Sequence, residues 1–499
     1  MKEKQTEKKI EKQKKNQKQK LSPKQRQNKK IIHVLIMMSC LFLALIGYLT
    51  YFELLMKDNI ITSSYNRRQW EREDKIVRGE IFDRTGVSLA RNEVNGDDQV
   101  RVYPFGALYS HVIGYNSTTY GKSLLEARFN DELLNINPLN PVTDLRDKLI
   151  GSKSYGNNLY LTIDHELEQR ASELMGKRKG AVVALNPQTG EILALVSKPN
   201  FNPNNTALKE NWNELVESEE NPLLPRATQG LYIPGSTFKA AISLMALDQG
   251  LGKKTYEDTG SIIIDGKRIE NYGNKAFGTL DLEQALAVSS NTVFARIGVE
   301  LGTENLKNLA RQVGIGKKIP FDIPVSTSRF DYKNMGKTDQ AAVGIGQGKI
   351  LVSPLHMALI TGGIANNGVV MKPYLVDRVI TANGFVRRNQ EPEEFFRLAK
   401  KSTAEQVKDM METVVVKGTG RNARISGIRV AGKTGTAQNE LTAQGENKEH
   451  AWFIGFAPVE NPQIAVAVIL EYSGSTGGGQ AAPIARELMI QWLKNQGLM

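Results

Sequence analysis

Residues 234–247 read PGSTFKAAISLMAL. The proline and glycine interrupt any preceding element, and the apolar run that follows predicts a helix beginning at or near Ser236. Positions three residues apart lie on one face of a helix, so we expect Lys239 to reach back toward the Ser236 hydroxyl. A serine becomes a nucleophile only beside a base, and a lysine can be that base if burial and nearby charge lower its pKa. The segment therefore predicts a candidate serine–lysine pair at a helix start, where developing negative charge is also favoured.

Two later motifs supply polar groups that could complete such a site. Ser289-Ser290-Asn291 begins 53 residues after Ser236, and Lys433-Thr434-Gly435-Thr436 begins 197 residues after it. Each motif alone is also typical of an ordinary loop or helix cap. Residues 428–430, Ile-Arg-Val, are typical of a strand, and they predict that 433–436 continue it as an edge strand. The free backbone groups of such an edge can bind an extended peptide. Gly435 would let such a peptide approach closely.

A competing motif overlaps the third one. Residues 427–434 fit the phosphate-binding pattern G-x-x-x-x-G-K-[ST]. That loop must be followed by a helix whose N-terminus faces the phosphates. Here a glycine, a threonine and a polar stretch follow instead, so nucleotide binding is not expected.

Paired apolar runs around these motifs predict antiparallel strands. Runs at 180–185 and 191–197 flank an Asn-Pro-Gln-Thr-Gly turn, and runs at 452–457 and 464–472 flank a second turn. Between and after them, helical periodicity occurs at 237–247, 282–288, 351–364 and 483–494. The pattern predicts one antiparallel sheet closed by early and late strands, with helices packed on it.

The N-terminal region predicts a membrane anchor. Residues 31–52 form an apolar stretch without formal charge, long enough to span a bilayer and too long for a cleaved signal peptide. Residues 1–30 hold 13 Lys or Arg and 3 Glu, which predicts a disordered cytoplasmic tail and an exported body. The remaining residues hold 52 basic and 50 acidic side chains, so the body is nearly neutral and nucleic-acid binding is disfavoured.

The rest of the composition excludes several kinds of site. Cys40 is the single cysteine and lies in the predicted span, so no internal disulfide, zinc knuckle or iron–sulfur site is expected. The five histidines are scattered, and neither a metal site nor another cofactor is predicted. His450 is expected to be structural or exposed.

Residues 53–155 are mixed and polar. Residues 83–86, Asp-Arg-Thr-Gly, predict a turn between two short strands, and 122–134 look helical. Arg78, Glu80, Asp83 and Arg84 are interpreted as a local ion-pair and turn network.

The order S-x-x-K, S-x-N, K-T-G resembles that of the penicillin-recognising serine acyltransferases. Other segments extend the resemblance to class B penicillin-binding proteins, from about residue 31 to the end: RGEIFDRTG at 78–86, NPLLPRA at 221–227, GIGQG at 344–348 and GGGQAAP at 477–483. The resemblance implies an α+β fold: an antiparallel sheet with helices on both faces and a helical subdomain, preceded by an extended β-rich pedestal and one transmembrane helix. The implied divisions are 1–30 (tail), 31–52 (anchor), 53–155 (pedestal) and 156–499 (transpeptidase domain).

The resemblance also implies roles for the catalytic residues. Ser236 would attack the penultimate D-Ala carbonyl of a peptidoglycan stem peptide, with Lys239 as base. Ser289 would relay a proton to the leaving nitrogen. Lys433 would supply positive potential, and the backbone N–H groups of Ser236 and Thr436 would form an oxyanion hole.

Substrate contacts follow from the same resemblance. Asn291 would bond the substrate amide, and the hydroxyls of Thr434 and Thr436 would hold the donor carboxylate beside Gly435. β-Lactams would acylate Ser236 because they imitate the D-Ala-D-Ala end. Class B proteins typically pair with a SEDS-type glycan polymerase, which is the expected membrane partner.

Rival functions share parts of this pattern. A β-lactamase carries the motifs, but no E-x-x-L-N segment occurs between Asn291 and Lys433. A bifunctional class A protein needs a glycosyltransferase domain, and 53–155 is too short for one. A membrane-anchored scaffold with an idle penicillin fold, regulating a SEDS polymerase, is the alternative from another class.

Overall fold

The computed structural model describes residues 22–52, 76–95, 98–136, 154–438 and 448–499. The first helix belongs to one compact unit, and all later described residues belong to a second. The predicted disorder of residues 1–21 lies outside the described part of the chain.

The first unit contains one long helix, α1 (Pro23–Tyr51). Ser22 and Gln25 form a capping box at its start, and Pro23 occupies the first helical position, where its missing N–H costs nothing. The helix is long and apolar enough to cross a membrane. Residues 23–30 are therefore helical, and the prediction that they are disordered is wrong.

The second unit alternates helices with strands. Its α-helices are α2 (Leu124–Arg128), α3 (Asn130–Leu133), α4 (His165–Met175), α5 (Asn205–Glu217), α6 (Arg226–Gln229), α7 (Lys239–Asp248), α8 (Leu282–Val288), α9 (Asn291–Gln312), α10 (Lys337–Gly344), α11 (Pro354–Ala365), α12 (Lys401–Val416) and α13 (Gly477–Asn495).

The strands before residue 200 are β1 (Ile76–Val77), β2 (Ile81–Phe82), β3 (Ser88–Asn95), β4 (Asp98–Val102), β5 (Asn116–Ser117), β6 (Gly121–Lys122), β7 (Ser154–Tyr155), β8 (Asn158–Leu161), β9 (Gly180–Leu185) and β10 (Ile192–Lys198). The later strands are β11 (Tyr256–Asp258), β12 (Ser261–Ile264), β13 (Lys267–Glu270), β14 (Gly278–Leu280), β15 (Arg329–Phe330), β16 (Ile350–Leu351), β17 (Val369–Met371), β18 (Val376–Ile380), β19 (Val386–Asn389), β20 (Glu394–Arg397), β21 (Ala431–Ala437), β22 (His450–Ala457) and β23 (Ile464–Leu470).

The central sheet has five strands in the order β10-β9-β23-β22-β21, and every neighbouring pair is antiparallel. Its early and late strands meet at the β9–β23 pair, as predicted. Alternate residues of β9 belong to two different hydrophobic clusters, so both faces of the sheet are covered. Helices α4 and α13 contribute to one cluster, and α7 and α11 to the other. The predicted antiparallel sheet with helices on both faces is confirmed.

Strand β21 is the edge predicted from the Lys-Thr-Gly-Thr motif. Residues 428–430, predicted as its beginning, lie outside it, because Ile428 closes a short turn onto Ile425 and the strand starts at Ala431. The overlapping phosphate-loop motif leads into a strand instead of a helix: its last residues and those that follow, as far as Ala437, lie within β21.

A second sheet joins the N-terminal residues to the later ones. Its order is β19-β18-β8-β2-β3-β4. Strand β2, from before residue 103, pairs with β8, and β8 in turn pairs with β18 from the later part of the chain. The sheet therefore crosses the expected pedestal boundary at 155. The pedestal shares its backbone hydrogen bonds with the body that follows it.

A buried ion cluster holds the pedestal together. Glu126 on α2 accepts hydrogen bonds from the guanidinium groups of Arg78 and Arg101, each at 2.7 Å, and Tyr103 also donates to it. All four side chains are buried. Burial raises the pKa of Glu126, but the two arginine charges and their hydrogen bonds outweigh this effect and lower the pKa to about 2.

The predicted local network around Arg78–Gly86 is only partly local. Asp83 does cap its own turn, accepting from the N–H groups of Thr85 and Val87. Arg78 instead reaches Glu126, and Arg84 stacks over Trp492 of α13 at 5.1 Å. The run at 122–134, predicted as helical, divides into β6 and the two short helices α2 and α3.

Glu126→Gln should lower the free energy of unfolding by about 3–5 kcal/mol near pH 7, because two buried guanidinium groups lose their counterion. The folded pKa of Glu126 lies below its ordinary value of 4.5. Its stabilisation is therefore complete above pH 4.5 and is lost as the pH falls toward 2, so wild type and variant should converge there. Chemical denaturation of the full chain in detergent measures this.

The matched control is Glu93→Gln, which removes an exposed ion pair between Glu93 and Arg91 on strand β3. It should cost less than about 1 kcal/mol. Equal losses for the two variants would contradict the role of the buried cluster.

Candidate active site

Ser236 lies on a tight turn rather than in the α-helix predicted there. Gly235–Phe238 form a 3₁₀ turn that leads directly into α7 at Lys239. The Thr237 hydroxyl closes the turn by donating to the carbonyl of Pro234 at 2.6 Å. Ser236 remains partly exposed, whereas Thr237 and Phe238 are buried. The turn therefore presents one side chain to solvent while its neighbours anchor it.

Glycine contacts fix the position of this turn. Gly235 has a φ of +55°, and its N–H donates to the carbonyl of Gly346 at 2.9 Å. A Cβ on Gly346 would lie 1.9 Å from the Gly235 carbonyl oxygen, and a Cβ on Gly235 would lie 2.6 Å from that of Thr436. The nucleophile turn is thus held between the 344–348 segment and the edge strand β21.

Lys239 is completely buried one residue into α7. Its Nζ donates to the Ser289 carbonyl at 2.8 Å and to Asn291 Oδ1 at 2.7 Å, and lies 3.4 Å from Ser289 Oγ. Burial, followed by the charge of Lys433, lowers its pKa well below the ordinary value, against an opposing effect of Asp258. A neutral amine uses both hydrogens in the two short bonds, which leaves its lone pair to accept a proton.

Lys433 approaches the same serine from the strand. Its buried Nζ donates to Ser289 Oγ at 2.9 Å and to the Thr434 carbonyl at 2.8 Å. Burial lowers its pKa to about 7. The two lysines therefore converge on Ser289, and the positive charge of Lys433 is present only at pH values near or below neutrality.

Ser289 and Asn291 lie at the junction of α8 and α9. Ser289 adopts a left-handed conformation with φ +59°, which ends α8, and Ser290 caps α9. The Asn291 side chain accepts from Lys239, and its Nδ2 donates to the Glu270 carbonyl at 2.8 Å. Among the residues that the structure describes, the second hydrogen of Asn291 Nδ2 has no partner and is left for a ligand.

The edge strand carries the remaining predicted residues. Thr434 is buried, with its hydroxyl 2.6 Å from that of Thr419, whereas Thr436 is partly exposed. A Cβ on Gly435 would lie 2.8 Å from the Thr237 side chain and 3.1 Å from Trp452. Gly435 is therefore required by the protein's own packing, whereas the sequence suggested room for a bound peptide.

The predicted site residues other than the two lysines line one open cleft of about 1110 Å³: Ser236, Ser289, Asn291, Thr434, Gly435 and Thr436. One of its walls is formed by the segment around β13, including Lys267, Tyr272 and Lys275. Among the described residues, no cluster of histidine, cysteine, aspartate or glutamate could hold a metal ion. The arrangement is suited to acyl transfer through a serine, with an extended peptide along β21.

Sequence reasoning missed several supporting residues. Thr419, which contacts Thr434, has no motif of its own. Trp452, which has no motif either, donates from Nε1 to the carbonyl of Ile233 at 3.1 Å. His450, which was expected to be structural or exposed, is buried beside Tyr232. These contacts are between distant parts of the chain, so local patterns contain no signal for them.

Comparisons with known proteins place this geometry in context. Residues 180–490 match the penicillin binding protein transpeptidase domain, and residues 78–159 match the penicillin binding protein A dimerisation domain. The peptidoglycan D,D-transpeptidase PbpA of Mycolicibacterium smegmatis is 32% identical over 495 residues, covering 94% of this chain and 99% of the relative. The peptidoglycan D,D-transpeptidase MrdA of Acinetobacter baumannii is 32% identical over 445 residues, covering 79% and 66%. The penicillin G acyl-enzyme complex of penicillin-binding protein A from M. tuberculosis is 30% identical with a TM-score of 0.77, covering 83% and 99%.

Gly346→Ala should slow acylation by a penicillin about 100-fold, because the new Cβ would displace the Gly235 carbonyl and hence Ser236. The measurement is the second-order rate of acylation. Gly427→Ala is the control, since Gly427 also has a positive φ but has open space around it. Equal rates for the two variants would contradict the positioning role of Gly346.

Proposed function

The chain belongs to the penicillin-binding protein transpeptidase family, and we propose that it is a peptidoglycan D,D-transpeptidase whose acyl-enzyme forms on Ser236. The observation that carries the proposal is the convergence of two buried lysines on Ser289, at the cleft that Ser236 also lines. Buried lysines of lowered pKa beside a partly exposed serine are costly for folding and useful for proton transfer.

Acylation begins with Lys239 as a neutral amine. Ser236 Oγ attacks the carbonyl carbon of the penultimate D-Ala and passes its proton to Lys239 Nζ. The backbone N–H groups of Ser236 and Thr436 stabilise the oxyanion of the tetrahedral intermediate. The C–N bond then breaks, and the terminal D-Ala leaves as an amine that takes a proton through Ser289 Oγ. The lysine is neutral again, and the acyl group is an ester of Ser236.

Deacylation reverses these roles with a second peptide. An amine from a neighbouring stem peptide attacks the ester carbonyl and gives up a proton to the same lysine–serine relay. Ser236 Oγ leaves as an alcohol, and the new amide bond is the cross-link. The contact between Lys433 and Ser289 supports a relay role for that serine.

The donor peptide would lie along the edge strand. Its terminal carboxylate would bind the hydroxyls of Thr434 and Thr436 within the positive potential of Lys433, beside Gly435. The free hydrogen of Asn291 Nδ2 would bond an amide oxygen of the donor. β-Lactams present the same carboxylate and a strained amide, so they would acylate Ser236.

Two rival functions make different predictions. A β-lactamase would hydrolyse its acyl-enzyme rapidly, whereas an idle scaffold would form none. The scaffold alternative is disfavoured because the Ser236, Ser289 and Lys433 motifs are intact and gathered at one cleft. A supporting role toward a SEDS-type glycan polymerase is compatible with catalysis and is part of the proposal.

The proposed topology follows from the first helix and the basic tail. Residues 1–30 would lie in the cytoplasm, 31–52 would cross the membrane, and the catalytic domain from about 156 would be extracellular. The pedestal, 53–155, contains most of the match to a dimerisation domain, which covers residues 78–159, and would be the partner-binding region.

The purified full chain in detergent should exchange the terminal D-Ala of a D-Ala-D-Ala stem peptide for a labelled D-amino acid. Penicillin should block the exchange, and Ser236→Ala should abolish it. Ser243→Ala is the control, because Ser243 is buried one turn along α7 and bonds only the Lys239 carbonyl among the described residues. Penicillin hydrolysis without exchange would support a β-lactamase. The absence of both hydrolysis and exchange would support a scaffold.

The two lysines should fail differently when each is replaced by arginine. Lys239→Arg keeps a charge but cannot accept a proton near neutral pH, so acylation by a penicillin should fall by about 10²-fold or more. Lys433→Arg keeps the charge beside the carboxylate site, so part of the activity should survive with weaker donor recognition. Acylation rates, with circular dichroism as the folding check, decide between them. A fast Lys239→Arg and an inactive Lys433→Arg would mean that the base is Lys433.

A further inference from the structure

Asp258, at the end of β11, has a buried carboxylate behind the active site. It is only 1% exposed, and it accepts hydrogen bonds from the Gly260 N–H at 2.8 Å, from Asn271 Nδ2 at 2.8 and 2.9 Å, and from Ser290 Oγ at 2.6 Å. Burial raises its pKa, but the hydrogen bonds outweigh this effect, so the pKa is lowered and the group is ionised at neutral pH. A buried anion with so many donors is a built feature of the fold.

The partners of Asp258 lead directly to the catalytic turn. Asn271, oriented by the carboxylate, accepts at its Oδ1 from the N–H groups of Asn291 at 2.7 Å and Thr292 at 3.2 Å. Ser290 Oγ donates to Asp258 and accepts from the Val293 N–H, which caps α9. These bonds hold the turn in which Ser289 has a left-handed conformation, one that a side-chain-bearing residue adopts only when its surroundings enforce it.

Asp258 also contributes charge. The charged groups that act on Lys239 are Lys433, from β21, and Asp258, from β11. Burial and Lys433 lower the pKa of Lys239, whereas Asp258 raises it. Asp258 is therefore the single anion in the described residues that opposes the complete loss of the proton from Lys239.

The middle residue of the motif makes this placement informative. Class A β-lactamases and related proteins carry S-D-N, with an acidic middle residue. This chain has Ser290 there, and the serine hydroxyl contacts a carboxylate that comes from 32 residues earlier.

We propose that Asp258 is a positioning residue for the reaction proposed above: it holds the Ser289–Asn291 turn through Ser290 and Asn271. From outside the motif it also supplies negative charge that acts on Lys239. This role rests on the proposed acyl transfer, and its test can fail independently of it.

The test is the pH dependence of acylation by penicillin G in the full chain. Asp258→Asn keeps the side-chain shape but removes the charge, so Lys239 should lose its proton more easily and the acid limb of the profile should move to lower pH. Asp258→Ala also removes the bonds that hold the turn, and should lower the rate by about 10–100-fold at every pH. Asp265→Asn, which removes an exposed charge from the neighbouring β12–β13 turn, should change neither property.

The swapped pair Asp258→Ser with Ser290→Asp restores one carboxylate and one hydroxyl facing each other. It should return the acid limb to the wild-type position. If thermal melting shows that Asp258→Asn is not folded, the swapped pair is used for the test in its place. An unmoved limb in folded Asp258→Asn, or a lowered limb in the folded swap, would overturn the proposal. Absence of acylation in the wild type would instead contradict the proposed function.

Discussion

The burial of two lysine side chains around one serine is the constraint on which the rest of the structure depends. Lys239 and Lys433 are both fully buried, and both lie within hydrogen-bonding distance of Ser289 Oγ. Two ammonium groups this close would repel and would each lose their hydration, so the site favours a state in which at least one is neutral. That neutral amine is the group that can accept the proton of the nucleophilic serine. The surrounding carbonyl oxygens and the Asn291 side chain offset its burial without removing its basicity.

The fold holds three segments that are distant in sequence close together around these lysines. The edge strand β21 carries Lys433 and is paired along its whole length to β22, which is itself buried. The nucleophile turn lies between Gly346 and Thr436. The backbones approach so closely that a Cβ at Gly346 or Gly235 would overlap the facing carbonyl oxygen. The β11–β14 segment holds the Ser289–Asn291 motif from behind through Asp258. The first two contacts are made by backbone and the third by buried side chains, and all three hold groups in place where an attack geometry must be maintained.

Short-range patterns predicted much of this arrangement, and their failures have identifiable causes. The hairpins followed from pairs of apolar runs separated by turns, and the edge strand followed from the residues before Lys433. The three motifs do gather at one cleft. The α-helix predicted from Ser236 proved to be a 3₁₀ turn, because packing against Gly346 requires a positive φ at Gly235. Arg78 was interpreted locally, although its partner Glu126 is 48 residues away. Asp258 was not recognised, since its link to Ser290 exists only after the chain has folded. Tertiary hydrogen bonds of this kind have no periodic signature in a single sequence.

The most direct test of the central claim is to locate the covalent adduct after reaction of the full chain with penicillin G. Trypsin should release residues 227–239, ATQGLYIPGSTFK, in which Ser236 is the only serine. Mass spectrometry with fragmentation should find the intact penicilloyl group on Ser236 of this peptide, and none in the Ser236→Ala variant. An adduct on another residue, or labelling that persists in the variant, would contradict the account.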